Sequence, residues 1–94
     1  MSNRITKSNL QAAVALLNRV TNSPAEAYVK VGDKYTAQIG NYHLSCAYGG
    51  YSLHRMVNES GGVSDVLSTG HMPARELYNL IHAFRRGFEL AKQA

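Results

Sequence analysis

The stretch NYHLSCAYGGYSLHRMV, residues 41–57, most constrains how this chain can fold. Its glycine pair, Gly49-Gly50, can take positive φ at both central positions of a tight hairpin turn without steric cost. β-formers dominate both flanks, and Tyr48 and Tyr51 bracket the pair. A turn centred on the glycines sets Tyr48 opposite Tyr51, Cys46 opposite Leu53 and Leu44 opposite Arg55. Side chains alternate between the two faces of a strand, so these residues share one largely apolar face. His43, Ser45, Ser52, His54 and Met56 fall on the other, polar face. The apolar face is expected to pack inward, with Cys46 as a small core hydrophobe and the polar face wet.

Upstream, Ser8-Asn9-Leu10-Gln11 reads as a capping box. Behind it Leu10, Ala13, Val14, Leu17 and Val20 recur at helical spacing, which predicts a helix over residues 8–20. Pro24 ends it, because the residue before a proline is pushed out of the helical region. Residues 27–31 and 35–39 read as strand arms around a turn at Gly32-Asp33. After a loop at residues 58–62, residues 63–67 form the next strand. Pairing Val57 with Val63 sets Arg55 opposite Asp65, a cross-strand ion pair worth about 0.2–1 kcal/mol. Pro73 then opens a last helix carrying Leu77, Leu80, Ile81, Phe84, Phe88 and Ala91 on one stripe. The expectation is a single α+β domain of α-β-β-β-α order. Three or four antiparallel strands form a meander, and both helices pack on one of its faces.

With 94 residues, a modest core and no deep cleft are expected. One cysteine excludes a disulfide framework, and the absence of HxxxH or HExxH spacing leaves no metal motif. No cofactor is expected. The opening residues lack the apolar core of a signal peptide and no apolar run reaches membrane length, so a cytoplasmic location is expected. The net charge of +4 suits nucleic acid or an acidic protein. The basic residues are scattered, however, with only Arg85 and Arg86 adjacent. Double-stranded-RNA-binding domains share the element order but grip phosphates with lysines at the start of the last helix. Here that region carries Arg75 followed at once by Glu76, so that ligand is rejected.

The candidate binding residues are His43, Ser45, Ser52 and His54 on the polar hairpin face, with Arg75, Arg85 and Arg86 on the last helix. The first four form a mixed, low-charge surface that suits a protein contact better than a phosphate backbone. An enzyme built from the same four residues needs a water-excluding pocket, which an exposed sheet face does not offer.

The run AYGGYSLHRMVNESGGVSDV followed by GHMPARELYNLIHAF resembles small accessory proteins encoded by tailed bacteriophages and prophages. That resemblance implies a compact, often oligomeric protein that binds host proteins or nucleic acid, and it assigns no residue a role. The leading expectation is a non-enzymatic accessory protein that binds a protein partner or itself, as a homodimer. A small DNA- or RNA-binding regulator using the three arginines and the hairpin comes second, and a small enzyme third.

Overall fold

A computed structural model of the chain describes residues 4–93. The first helix, α1 (Lys7–Val20), starts slightly ahead of the expected position. Its capping box is built on Thr6 and Asn9 rather than Ser8 and Gln11. The Thr6 hydroxyl accepts from the Asn9 amide at 3.2 Å, and Asn9 Oδ1 accepts from the Thr6 amide at 2.9 Å. The apolar stripe is unaffected, and Leu10, Ala13, Val14 and Leu17 are all buried.

Among the described residues five antiparallel strands follow, in two sheets. β1 (Tyr28–Val31) and β2 (Lys34–Ala37) form a ribbon of their own, turning at Gly32 with φ +64°. β3 (Tyr42–Ala47), β4 (Gly50–Met56) and β5 (Val63–Asp65) form the second sheet in that order, and α2 (Ala74–Gln93) ends the chain. The class is therefore α+β, with two strands beyond the three-stranded sheet making a separate layer. The ribbon stays apart because Gly40, at φ +96°, redirects the chain between β2 and β3. Its base is tied by the Ala37 amide to the Glu59 carbonyl at 3.3 Å and the Gln38 amide to the Ala27 carbonyl at 2.8 Å.

The central hairpin forms, with its turn displaced by one residue. Tyr48 and Gly49, not Gly49 and Gly50, take the positive φ values of +54° and +73°. Leu44 consequently faces Leu53, Cys46 faces Tyr51, and His43 faces His54. Moving the turn by one residue shifts the pairing by two, so the side-chain faces are preserved. Tyr48 itself leaves the apolar face and stands 97% exposed in the turn. Gly50 has a different task. A Cβ there would sit 3.0 Å from the Met72 carbonyl oxygen, and glycine lets Met72 bridge Tyr51 by paired backbone bonds of 2.8 Å.

β5 pairs one residue out from the expected register, and a slip of one flips every side chain. Asp65 lies opposite His54, and Arg55 lies opposite Ser64. The Arg55–Asp65 ion pair does not form. Asp65 instead accepts from the Gly70 amide at 2.8 Å, closing the loop that leads to α2, while Arg55 lies over the Tyr42 ring at 5.2 Å.

The core joins Leu10, Ala13, Val14 and Leu17 of α1 to Tyr42 and Leu53 of the hairpin and to Leu77 and Ile81 of α2. The α2 stripe is only partly used: Phe84 and Phe88 are half-buried, and Leu80 is exposed. One buried polar contact locks helix to sheet. Asn18 donates from Nδ2 to the Tyr42 carbonyl and accepts the Tyr42 amide on Oδ1, both at 2.9 Å. Its carboxamide thus plays the part of a neighbouring strand at one position of β3.

Two substitutions test these contacts by urea denaturation. Asn18→Ala strands both polar groups of a buried peptide and is expected to destabilise by about 2–4 kcal/mol. Tyr48→Asn relieves a left-handed conformation unfavourable to tyrosine and is expected to stabilise by about 0.5–1 kcal/mol.

Candidate functional site

The polar hairpin face is built as the alternation requires, but it is not open. Ser52 is 0% exposed and Met56 is 2% exposed, while His43, Ser45 and His54 are half-buried. The segment before α2 lies against this end of the hairpin. Met72 is fixed to the β4 edge by its bridge to Tyr51, and the neighbouring His71 reaches across Ser52 to β3. There its Nε2 hydrogen-bonds the Ser45 hydroxyl at 2.9 Å. Of the expected binding residues, Ser52 is therefore sealed from any partner.

Three histidine rings line up across this face. His43 and His54 are 6.0 Å apart between centroids, and His54 and His71 are 6.2 Å apart. The exposed Tyr48 ring lies 5.8 Å from His71. Asp65, on the third strand, completes the row opposite His54. His43 is anchored by its Nδ1 to Asn41 Oδ1 at 3.1 Å, and Asn41 is itself buried and donates to the Pro24 carbonyl at 2.8 Å. Sequence reasoning identified His43 and His54 but not His71 or Asp65, which belong here only through the fold.

Burial, and then the neighbouring His54, hold the His43 imidazole below its ordinary value of 6.5. For Asp65, burial pushes the pKa up, but the Gly70 amide, the Ser52 hydroxyl and His54 outweigh it and leave the carboxyl below its usual range. Ser52 lies close enough to contribute, yet the pair lacks hydrogen-bond geometry: Ser52 Oγ and Asp65 Oδ1 are both buried without a partner.

Chemically, the Ser45–His71 contact has the separation of a nucleophile and its base. No carboxylate bond to His71 accompanies it among the described residues, and Asp65 accepts from the Gly70 amide. Two open grooves of about 360 Å³ each lie along the β3 edge, and among the described residues neither is lined by Ser45, Ser52, His54 or His71. No group of three or more His, Cys, Asp or Glu side chains among the described residues is placed to hold a metal ion. No helix among them is long and apolar enough to cross a membrane.

The arginines do not join this face into one surface. Arg85 bonds Glu89 and the His82 ring within α2. Arg75 and Arg86 are exposed on one side of α2, about 16 Å apart along its axis. Cys46 is exposed and not a core residue, because it lies beside Lys7 at the very start of α1, where the helix no longer covers the strand.

A further exposed apolar feature is one to which sequence reasoning assigned no function. In the β1–β2 ribbon Tyr28, Val29, Val31 and Tyr35 are 49%, 42%, 62% and 71% exposed. By alternation Tyr28, Lys30 and Tyr35 share one face and Val29, Val31 and Lys34 the other, so both faces are uncovered. The available signal was consecutive apolar residues at Tyr28-Val29, which no one-sided strand can bury. No family model matches the chain, and no curated protein or solved structure matches it. The resemblance to phage accessory proteins thus gains no matched relative.

The depressed histidines give the fold a pH dependence. His82 is also held low, by burial and then by Arg85. An imidazole with a folded pKa below 6.5 contributes stability above that pH and loses it as protons bind the unfolded chain preferentially. The melting temperature is therefore expected to be flat above pH 7 and to fall from about pH 6.5 downward. His43→Gln should flatten that decline, as followed by thermal melts in a buffer series.

Proposed function

We propose that this protein is a non-enzymatic binding module that engages a protein partner through the β1–β2 ribbon. The observation that carries the reading is the ribbon's exposure on both faces. An isolated two-stranded ribbon is marginally stable in water. Placing two tyrosines and two valines on one, open to solvent, is unfavourable unless something covers them. A second copy of the chain is one such partner, and the half-used stripe of α2 offers it additional apolar surface.

A second reading rests on a specific feature of the same ribbon. Lys30 pairs across the ladder with Tyr35, and Lys34 with Val31, which sets cations beside aromatic and aliphatic side chains near the tip. Stacking and phosphate contact need such neighbours, so single-stranded nucleic acid is the alternative ligand. The histidine row is assigned a structural part in this proposal: it fastens the segment before α2 to the sheet.

The test compares wild type with Val31→Ser/Tyr35→Ser. Both residues are exposed, so the double variant should melt within a few degrees of wild type. Immobilised on beads in cell lysate, wild type is expected to retain protein that the variant does not, before and after nuclease treatment. Equal retention by both overturns the ribbon as the contact. Retention abolished by nuclease, and steeply weakened by salt, selects the nucleic-acid reading.

A further inference from the structure

A second surface, separate from the ribbon, carries its own chemistry. β3 is an outer strand of the three-stranded sheet, and among the described residues no strand pairs with its far side. The hairpin register decides which backbone groups face that side. Ala47 and Gly50 flank the two-residue turn and exchange hydrogen bonds, so alternate residues of β3 turn toward β4 and the others away from it. Tyr42, Leu44 and Cys46 point away. Tyr42 confirms the alternation, because its amide and carbonyl meet the Asn18 carboxamide and not β4. The peptide groups of Leu44 and Cys46 follow it along the same edge with no such cap among the described residues.

Space accompanies this edge. One groove of about 360 Å³ runs between β3 and α1, walled by Gln11, Ala15 and Ala27. The second continues past Cys46 to Gly49 and Gly50. The two share Lys7 and Cys46, so they adjoin at the middle of β3, one lined by Asn18 and Tyr42 and the other by Gly49 and Gly50. Lys7 is the one residue carrying full charge among the described residues of its lining. His43, which also lines it, is held toward the neutral form.

We propose that the free edge of β3 binds an extended acidic peptide segment as an added strand. The Leu44 and Cys46 backbone groups supply its ladder bonds, and Lys7 pairs with its carboxylate. Strand addition of this kind draws affinity from main-chain hydrogen bonds and selectivity from the flanking side chains. The Asn18 carboxamide already occupies the Tyr42 position as a strand mimic, and so sets where the added strand must end. The open groove beside β3 gives the added strand its place, and the lone cation selects the charge of what enters. Edge strands left open are commonly shielded by lysine or proline along the strand itself. β3 carries neither.

The experiment measures fluorescence anisotropy of a labelled peptide of alternating valine and glutamate titrated with the full chain. Saturable binding is expected, weakened at least about tenfold when alternate peptide nitrogens are methylated, which removes ladder donors while keeping the charge. Replacing the glutamates by lysine should weaken it as much. Cys46→Pro removes one outward donor without breaking any bond to β4, and is expected to abolish binding. Because proline can disturb a strand, Lys7→Glu serves as the second variant. It is exposed in the first turn of α1, where an acid suits the helix dipole, and it should also weaken binding at least about tenfold. No saturable binding, undiminished binding of the methylated peptide, or a folded Lys7→Glu that binds as wild type would each overturn the proposal. The ribbon variant Val31→Ser/Tyr35→Ser should bind this peptide unchanged, which keeps the two surfaces distinguishable.

Discussion

The placement of the β3–β4 turn governs this structure. With Tyr48 and Gly49 in the left-handed region, Leu53 comes opposite Leu44 and enters the core beside Tyr42, Leu10 and Leu77. The same register frees Gly50 from the turn, so that the Met72 backbone can approach it and bridge Tyr51. That bridge fixes the position from which His71 crosses to Ser45 and α2 sets out over the sheet. It also orients the Tyr42 peptide outward, where Asn18 of α1 binds it on both sides. Both helices are thus located by contacts that exist only in one hairpin register.

What could be read from the sequence follows from which signals are periodic. The α1 stripe and the two hairpin faces were legible because burial repeats at fixed spacing, and a two-residue error in register leaves strand faces intact. The α+β class follows from the same patterns. The β5 register was not legible. A charge pair between Arg55 and Asp65 gave an attractive but exposed cue, and exposed pairs are weak. Asp65 is committed instead to the Gly70 amide, a local loop contact with no period to announce it. The candidate site was half legible for the same reason. His43 and His54 share a hairpin face by alternation, whereas His71 arrives from a loop far along the chain.

A pattern of apolar spacing states which side chains could be buried, not which ones are. On α2 the stripe runs from Leu77 to Ala91, yet only Leu77 and Ile81 are fully covered. A domain of this size has too little core to cover a helix about 30 Å long. The ribbon repeats the lesson more strongly. Four residues of high β-propensity there make a ladder and stay only partly covered, with Val31 and Tyr35 the most exposed. Such residues are where a sequence specifies more apolar contact than the monomer makes.

Three features of this fold are unfavourable for stability taken alone: the tyrosine at φ +54°, the uncovered ribbon and the uncapped part of the β3 edge. Each has an easy remedy within the same backbone, namely asparagine at the turn, polar residues on the ribbon, or a lysine along the edge. The remedies at the turn and the ribbon are local, since those positions lie outside the buried cluster, whereas Leu44 on the edge packs against it. The polar groups buried in the hairpin region behave differently. Asn18 and Asn41 are hydrogen-bonded on both sides, and removing either would disturb the helix-to-sheet contact or the loop leading into β3. The interior is satisfied at these asparagines but not throughout, since Ser52 Oγ, Asp65 Oδ1 and Arg85 Nε are buried without a partner. The ribbon and the sheet edge are the exposed surfaces on which the two proposals rest, and the Ser45–His71 bond ties the histidine row to the segment before α2.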